Sequence, residues 1–148
     1  MRFVLAMLAL LIAAPVAAFA ADTVLADPKP GWDNPRRIVL QLTTDDPKRV
    51  NGVFHNAINL QKFYGQDNVK VAIVAYGAGV RPLLKQDSPV AERVASLAQY
   101  EVEFVACGNT LATMDKKESD LLPGVTVVTA GIAEIVERQI KGWHVVVP

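Results

Sequence analysis

The chain has one cysteine, Cys107, and two histidines, His55 and His144, among its 148 residues. A single cysteine excludes an intrachain disulfide, so stability must come from packing. One thiol and two distant imidazoles do not announce a metal site, which needs three or four converging ligands. No cofactor is implied by any motif. There is no lysine or arginine run, and the 15 basic and 15 acidic side chains balance. A nucleic-acid partner therefore has no electrostatic support. The segment Tyr76-Gly77-Ala78-Gly79-Val80 contains a G-x-G but no third glycine and no helix start directly after it, so it reads as a turn and not a dinucleotide cradle. Internal repeats, low-complexity segments and hairpin signals are also lacking. After the first twenty residues no apolar stretch is long enough to span a bilayer.

Those first twenty residues have the pattern of a cleavable secretory signal. Met1-Arg2 supplies a positive start, Phe3 to Ala14 is an unbroken apolar run, Pro15 ends it, and Ala18-Phe19-Ala20 offers small residues for cleavage after Ala20. The expectation is a periplasmic protein, soluble once the signal is removed. The remaining 128 residues are the size of one domain. Losing Arg2 leaves a formal charge of −1. Residues 21–35 carry three prolines and little periodicity, and read as an extended leader that packs through Trp32.

From Arg36 onward short apolar runs alternate with helical patterns. The runs Ile38–Leu42, Val69–Ala75, Val102–Ala106, Val125–Thr129 and His144–Val147 read as strands. They are continuously apolar, as when both faces of a parallel sheet are covered. Between the first two, Val50, Val53, Phe54, Ala57, Ile58 and Leu60 have helical spacing, with an aspartate cap before Pro47 and Gly65 as the stop. A second helix opens at Ser88-Pro89 and turns Val90, Val94, Leu97 and Ala98 inward. A short one runs from Thr110 to about Glu118, capped by Asn109 or Thr110. In the last helix Ile132, Ile135, Val136 and Ile140 form one face, and Glu134/Arg138 and Glu137/Lys141 are i,i+4 pairs. The prediction is an α/β fold: a three-layer, doubly wound sandwich of about five mostly parallel strands over residues 36–148.

Ligands of such sheets bind outside the carboxyl ends of the strands, near the point where strand order reverses. In the common order 2-1-3-4-5, strands one and three flank that point. The residues placed there are Thr43, Thr44 and Asp45, then Tyr76 and Gly77, then Cys107, Gly108, Asn109 and Thr110. A cysteine just before a helix faces unpaired amides and the positive end of the helix dipole, which favour thiolate. Gly108 lets the chain turn and leaves the sulfur accessible, while Asn109 and Thr110 cap the helix or bind an anion. Alternatively Cys107 is a small buried hydrophobe, and Thr43, Thr44 and Asp45 are a helix cap. His55 lies on a solvated helix face and His144 at a strand start, so a dyad with Cys107 depends on the fold. Asn56 and Asn59 point away from the apolar face, toward solvent or a subunit contact.

The stretches VAIVAYGAGV, VEFVACGNTL and LLPGVTVVTAGIAEIVERQIKGWHVVVP, with their spacing, resemble the DsrE/DsrF-like family of small sulfur-metabolism proteins from Ile38 to Pro148. They are most similar to its exported, stand-alone branch. The resemblance implies a doubly wound subunit that forms homo-oligomers, as trimers or hexamers. In the relay members a cysteine at the end of the third strand carries a persulfide between proteins, and Cys107 holds that place. The relay members are cytoplasmic and have different residues around their cysteine.

Two functions follow. In the first, Cys107 accepts sulfane sulfur or a thiol compound from a donor, holds it as a persulfide or mixed disulfide, and passes it to a partner protein. That would make the chain a sulfurtransferase or sulfur carrier, with Gly108, Asn109 and Thr110 around the sulfur and Thr43, Thr44, Tyr76 and Gly77 at the pocket edge. In the second the chain is a non-catalytic binding or assembly module for a small ligand or protein tail, and Cys107 is structural.

Overall fold

The computed structural model describes residues 21–86 and 88–148. The expected signal segment, residues 1–20, lies outside the described residues. Five strands, β1 (Arg36–Leu42), β2 (Val69–Ala75), β3 (Glu103–Cys107), β4 (Val125–Val128) and β5 (His144–Val146), alternate with four α-helices. These are α1 (Pro47–Tyr64), α2 (Ala91–Gln99), α3 (Gly108–Thr113) and α4 (Gly131–Ile140). The strands form one all-parallel sheet in the order β4-β3-β2-β1-β5.

Local chemistry sets the element boundaries. Asp46 caps α1 by accepting the Arg49 N–H at 2.9 Å, and Pro47, which has no N–H to satisfy, takes the first turn. Gly65 closes the helix at φ +86°, a conformation that disfavours residues with a Cβ. In β2 every residue but Lys70 is buried, so both sides of this strand are covered, as its continuous apolar run requires.

The two sides are covered differently. On one, α1 and α2 press Val50, Val53, Phe54, Ala57, Val94 and Leu97 onto the sheet, and Phe54 meets Phe104 edge to face at 5.5 Å. On the other, α4 contributes Ile135, which packs with Val39, Val74 and Val105. Helices on both sides of the sheet make three layers, as predicted. Arg138 pins α4 down: it pairs with Glu134 at 2.7 Å and Glu103 at 2.8 Å, and lies 4.6 Å over the Trp143 ring.

Several details differ from the sequence reading. The strand order is not 2-1-3-4-5: β2 stands between β1 and β3, because each of the first three crossovers moves to the adjacent strand in one direction. The reversal instead falls between β1 and β5. Trp32 does not anchor the leader, being 82% exposed. The tie from leader to domain is polar, from the Arg36 guanidinium to the Ala26 carbonyl at 2.6 Å. The segment Gly77–Leu83 is not an open loop but a run of 3-10 helix. The helix expected from Thr110 to Glu118 starts earlier and stops at Thr113. The apolar stripe of α4 is only partly covered by the sheet. Ile135 is buried, whereas Ile132, Val136 and Ile140, spaced four apart, point outward with exposures of 54%, 47% and 74%.

Candidate functional site

Cys107 ends β3 and is itself the N-cap of α3, with extended backbone and no side-chain cap below it. Its sulfur therefore sits where strand gives way to helix, among amides that no helical carbonyl claims. The next strand crossover delivers a second helix start to the same place. Gly131, the first residue of α4, lies so close that a Cβ there would stand 3.2 Å from the Cβ of Cys107 and 3.4 Å from that of Tyr76. A glycine is what lets the α4 amide approach the thiol.

Burial is the largest single influence on Cys107 and works against its ionisation. The Gly131 N–H, the Thr110 hydroxyl and N–H, and last the Asn109 N–H stabilise the thiolate and together outweigh it. The thiol is therefore held below its ordinary value. Thr110 has an acceptor role as well: its Oγ1 takes the Gly77 N–H at 3.1 Å. With that lone pair occupied, the hydroxyl proton is free to turn toward the sulfur. Cys107 is 7% exposed, so the thiol is more enclosed than its position before a glycine suggested.

The other predicted site residues take distinct places. Gly108 is not in a left-handed turn; it allows close approach, since a Cβ there would lie 3.1 Å from the Val128 carbonyl oxygen. Asn109 donates its N–H to the Thr129 carbonyl at 3.0 Å, tying α3 to the end of β4, and neither it nor Thr110 is the cap of α3. Tyr76 packs beside the α4 side of the sheet. Its hydroxyl donates to the Gln41 side chain at 2.7 Å, and its N–H donates to the Leu42 carbonyl. Gly77 joins the site through its bond to Thr110. Thr43 and Thr44 stand past the end of β1, with β2 between them and β3. Thr44 accepts the Asp46 N–H at the entry to α1. Asp45 forms a long ion pair, 3.6 Å, with Arg81.

Neither histidine reaches the thiol. His55 is exposed on α1, a helix of the opposite layer, and His144 begins β5, separated from β3 by two strands and at the amino end of the sheet. Among the described residues no three His, Cys, Asp or Glu side chains cluster as a metal site would require. No helix among the described residues is long and apolar enough to cross a membrane.

The structure adds residues that sequence reading left out. Gly131 was legible only as a helix start, because 24 positions separate it from Cys107. The signal that finds it is topological: in a parallel sheet every strand-to-helix turn gathers at one end. Beside Thr110 there is also a groove of about 620 Å³ between the Gly77–Leu83 segment and α3, lined in part by Arg81, Thr113, Met114 and Lys116.

This is the class of α/β protein that presents a thiol at the carboxyl end of a parallel sheet. Residues 37–148 match the DsrE/DsrF-like family, and the chain belongs to that family. Among solved structures it is similar to MTH1491 from Methanobacterium thermoautotrophicum, described as a protein of unknown function. The two share 37% identity at a TM-score of 0.73, covering 76% of this chain and 99% of that one. The ychN protein from E. coli shares its fold at 15% identity and a TM-score of 0.65, covering 76% of this chain and 99% of that one. BT1422 from Bacteroides thetaiotaomicron, another protein of unknown function, does so at 20% identity and 0.61, covering 76% and 94%. No curated protein sequence matches the chain.

Proposed function

We propose that this protein is an exported sulfur carrier that holds sulfane sulfur on Cys107. The observation that carries this reading is the close approach of the α4 start at Gly131 to a thiol already placed at a strand end, where it caps α3. Such an arrangement stabilises a sulfur anion, whether thiolate or persulfide, as preorganised donors stabilise charge elsewhere. Sulfane sulfur is transferred when the thiolate attacks it and the donor's remaining atoms leave with the bonding electron pair. The product is a persulfide anion. Its charge is unchanged, so no new counterion is needed.

The test is intact mass analysis of the reduced mature chain after exposure to polysulfide or thiosulfate. The expected result is an adduct of one added sulfur atom that disappears in Cys107→Ser. An adduct of equal size on that variant, or none on the parent, overturns the reading.

The second reading, a non-catalytic binding or assembly module with a structural cysteine, is favoured by one observation, the burial of Cys107. On that reading the native thiol resists a neutral alkylating reagent and reacts only after denaturation. Both readings include a homo-oligomer, a trimer or hexamer. What supports assembly here is the outward row of Ile132, Val136 and Ile140 on α4, larger and more regular than singly scattered surface apolar residues. Export with removal of residues 1–20 to the periplasm is part of the proposal and rests on the signal pattern.

A further inference from the structure

The groove beside Thr110 carries chemistry that sulfur storage on Cys107 does not by itself require. It lies at the carboxyl end of the sheet, and its lining includes two cationic residues, Arg81 and Lys116, together with Thr110 and Thr113. Among the described residues no carboxylate lines it. Asp45, the acid that pairs with Arg81, does so at 3.6 Å with both side chains more than half exposed. An ion pair of that kind is weak, so an incoming anion competes for the guanidinium. Leu84 and Met114 add apolar surface to its lining. The volume, about 620 Å³, is far above what one sulfur atom needs and suits a small molecule.

Thr110 joins the groove to the thiol. It lines the groove on one side and is one of the groups that stabilise Cys107 on the other. Thr110 stands in the first turn of α3, the helix that Cys107 caps, so a molecule seated at Arg81 and Lys116 meets that same helix start.

We propose that this groove is the docking site for a low-molecular-weight anionic sulfur donor, whose oxyanion end Arg81 and Lys116 hold while its sulfane sulfur reaches Cys107. The inference rests on the sulfur-carrier reading and adds the substrate class. For thiosulfate, the simplest such donor, the Cys107 thiolate attacks the outer sulfur and the sulfur–sulfur bond breaks. The bonding pair leaves with sulfite. The thiolate and the thiosulfate dianion become a persulfide anion and a sulfite dianion, so atoms, charge and electrons balance with no other reactant. Sulfite is released opposite the same two cations that bound the donor, and a guanidinium matches its oxygens as a planar fork.

Three measurements test this on the reduced mature chain and on Arg81→Gln/Lys116→Gln. Thiosulfate should sulfurate Cys107 in the double variant at least about tenfold more slowly than in the parent, the scale of electrostatic focusing in a cleft. Iodoacetamide, which is neutral, should alkylate both proteins at the same rate, because neither cation is among the groups that stabilise the thiolate. Sulfite titrated against the parent should bind saturably, read from backbone amide shifts, and lose that binding in the double variant. Equal thiosulfate rates, or no saturable sulfite binding to the parent, overturn the groove assignment even when polysulfide still loads Cys107. Saturable sulfite binding with no sulfur adduct from any donor instead sinks the carrier reading and leaves the groove as an anion site.

Discussion

The two sides of the sheet differ in kind. The apolar cluster on the α1 and α2 side joins twenty-three buried residues, Phe54 and Phe104 among them; the cluster on the α4 side joins four. The thick side stabilises the subunit by area removed from water. The thin side relies on one isoleucine and the Arg138 anchor, leaves an apolar row of its helix outward, and has the thiol at its rim. Most of the buried apolar area therefore lies in one layer and the thiol at the rim of the other, so excavating the two should cost different amounts.

The most damaging way to probe this is to excavate each side in turn. Phe54→Ala should cost about 3–5 kcal/mol in chemical denaturation, and Ile135→Ala about 2 kcal/mol, the low end for an isoleucine. Equal losses would erase the distinction between the layers. A smaller structural effect is expected from Val136→Glu, which alters only the outward row. Subunit stability should move by no more than about 0.5 kcal/mol, as for surface changes generally. Sedimentation velocity should show the assembly of the parent falling to monomers. A parent chain that already sediments as a monomer would show that the row is not a subunit contact.

The mildest change touches the thiol alone. Thr110→Val removes the hydroxyl that faces Cys107 and the acceptor for the Gly77 N–H. In the parent, iodoacetamide alkylation should rise with pH to a midpoint below about 8.5, the free-cysteine value, and the variant should shift that midpoint upward. The sign for stability follows from the lowered thiol. The contribution is present in full above the unfolded value and is lost as pH falls through the folded one, and Thr110→Val should shrink it. An unmoved midpoint would mean that Thr110 positions the loop without acting on the sulfur.

Much of this architecture was legible before folding was considered. The burial of β2 on both sides followed from its unbroken apolar run. The cap at Asp46 with Pro47 and the stop at Gly65 followed from local backbone chemistry. Cys107 was recognisable as a strand-end residue because strand and helix patterns meet there. Less was legible for α4: its four apolar residues form one stripe along the helix, and periodicity cannot say which edge of it the sheet will take. Arg138 decides it by reaching Glu103 and Trp143, contacts invisible in one helix's spacing.

The sequence alone determined the alternation of elements, the parallel sheet and the thiol at its carboxyl end, because these depend on local propensity and on hydrophobic runs of fixed period. Tertiary structure decided the strand order, which set β2 between Cys107 and the threonines after β1. It also decided which distant groups face the sulfur. Gly131 and Gly77 come to Cys107 and Thr110 because a parallel sheet brings all its strand-to-helix turns to one end. Separation along the chain carries no information about that proximity.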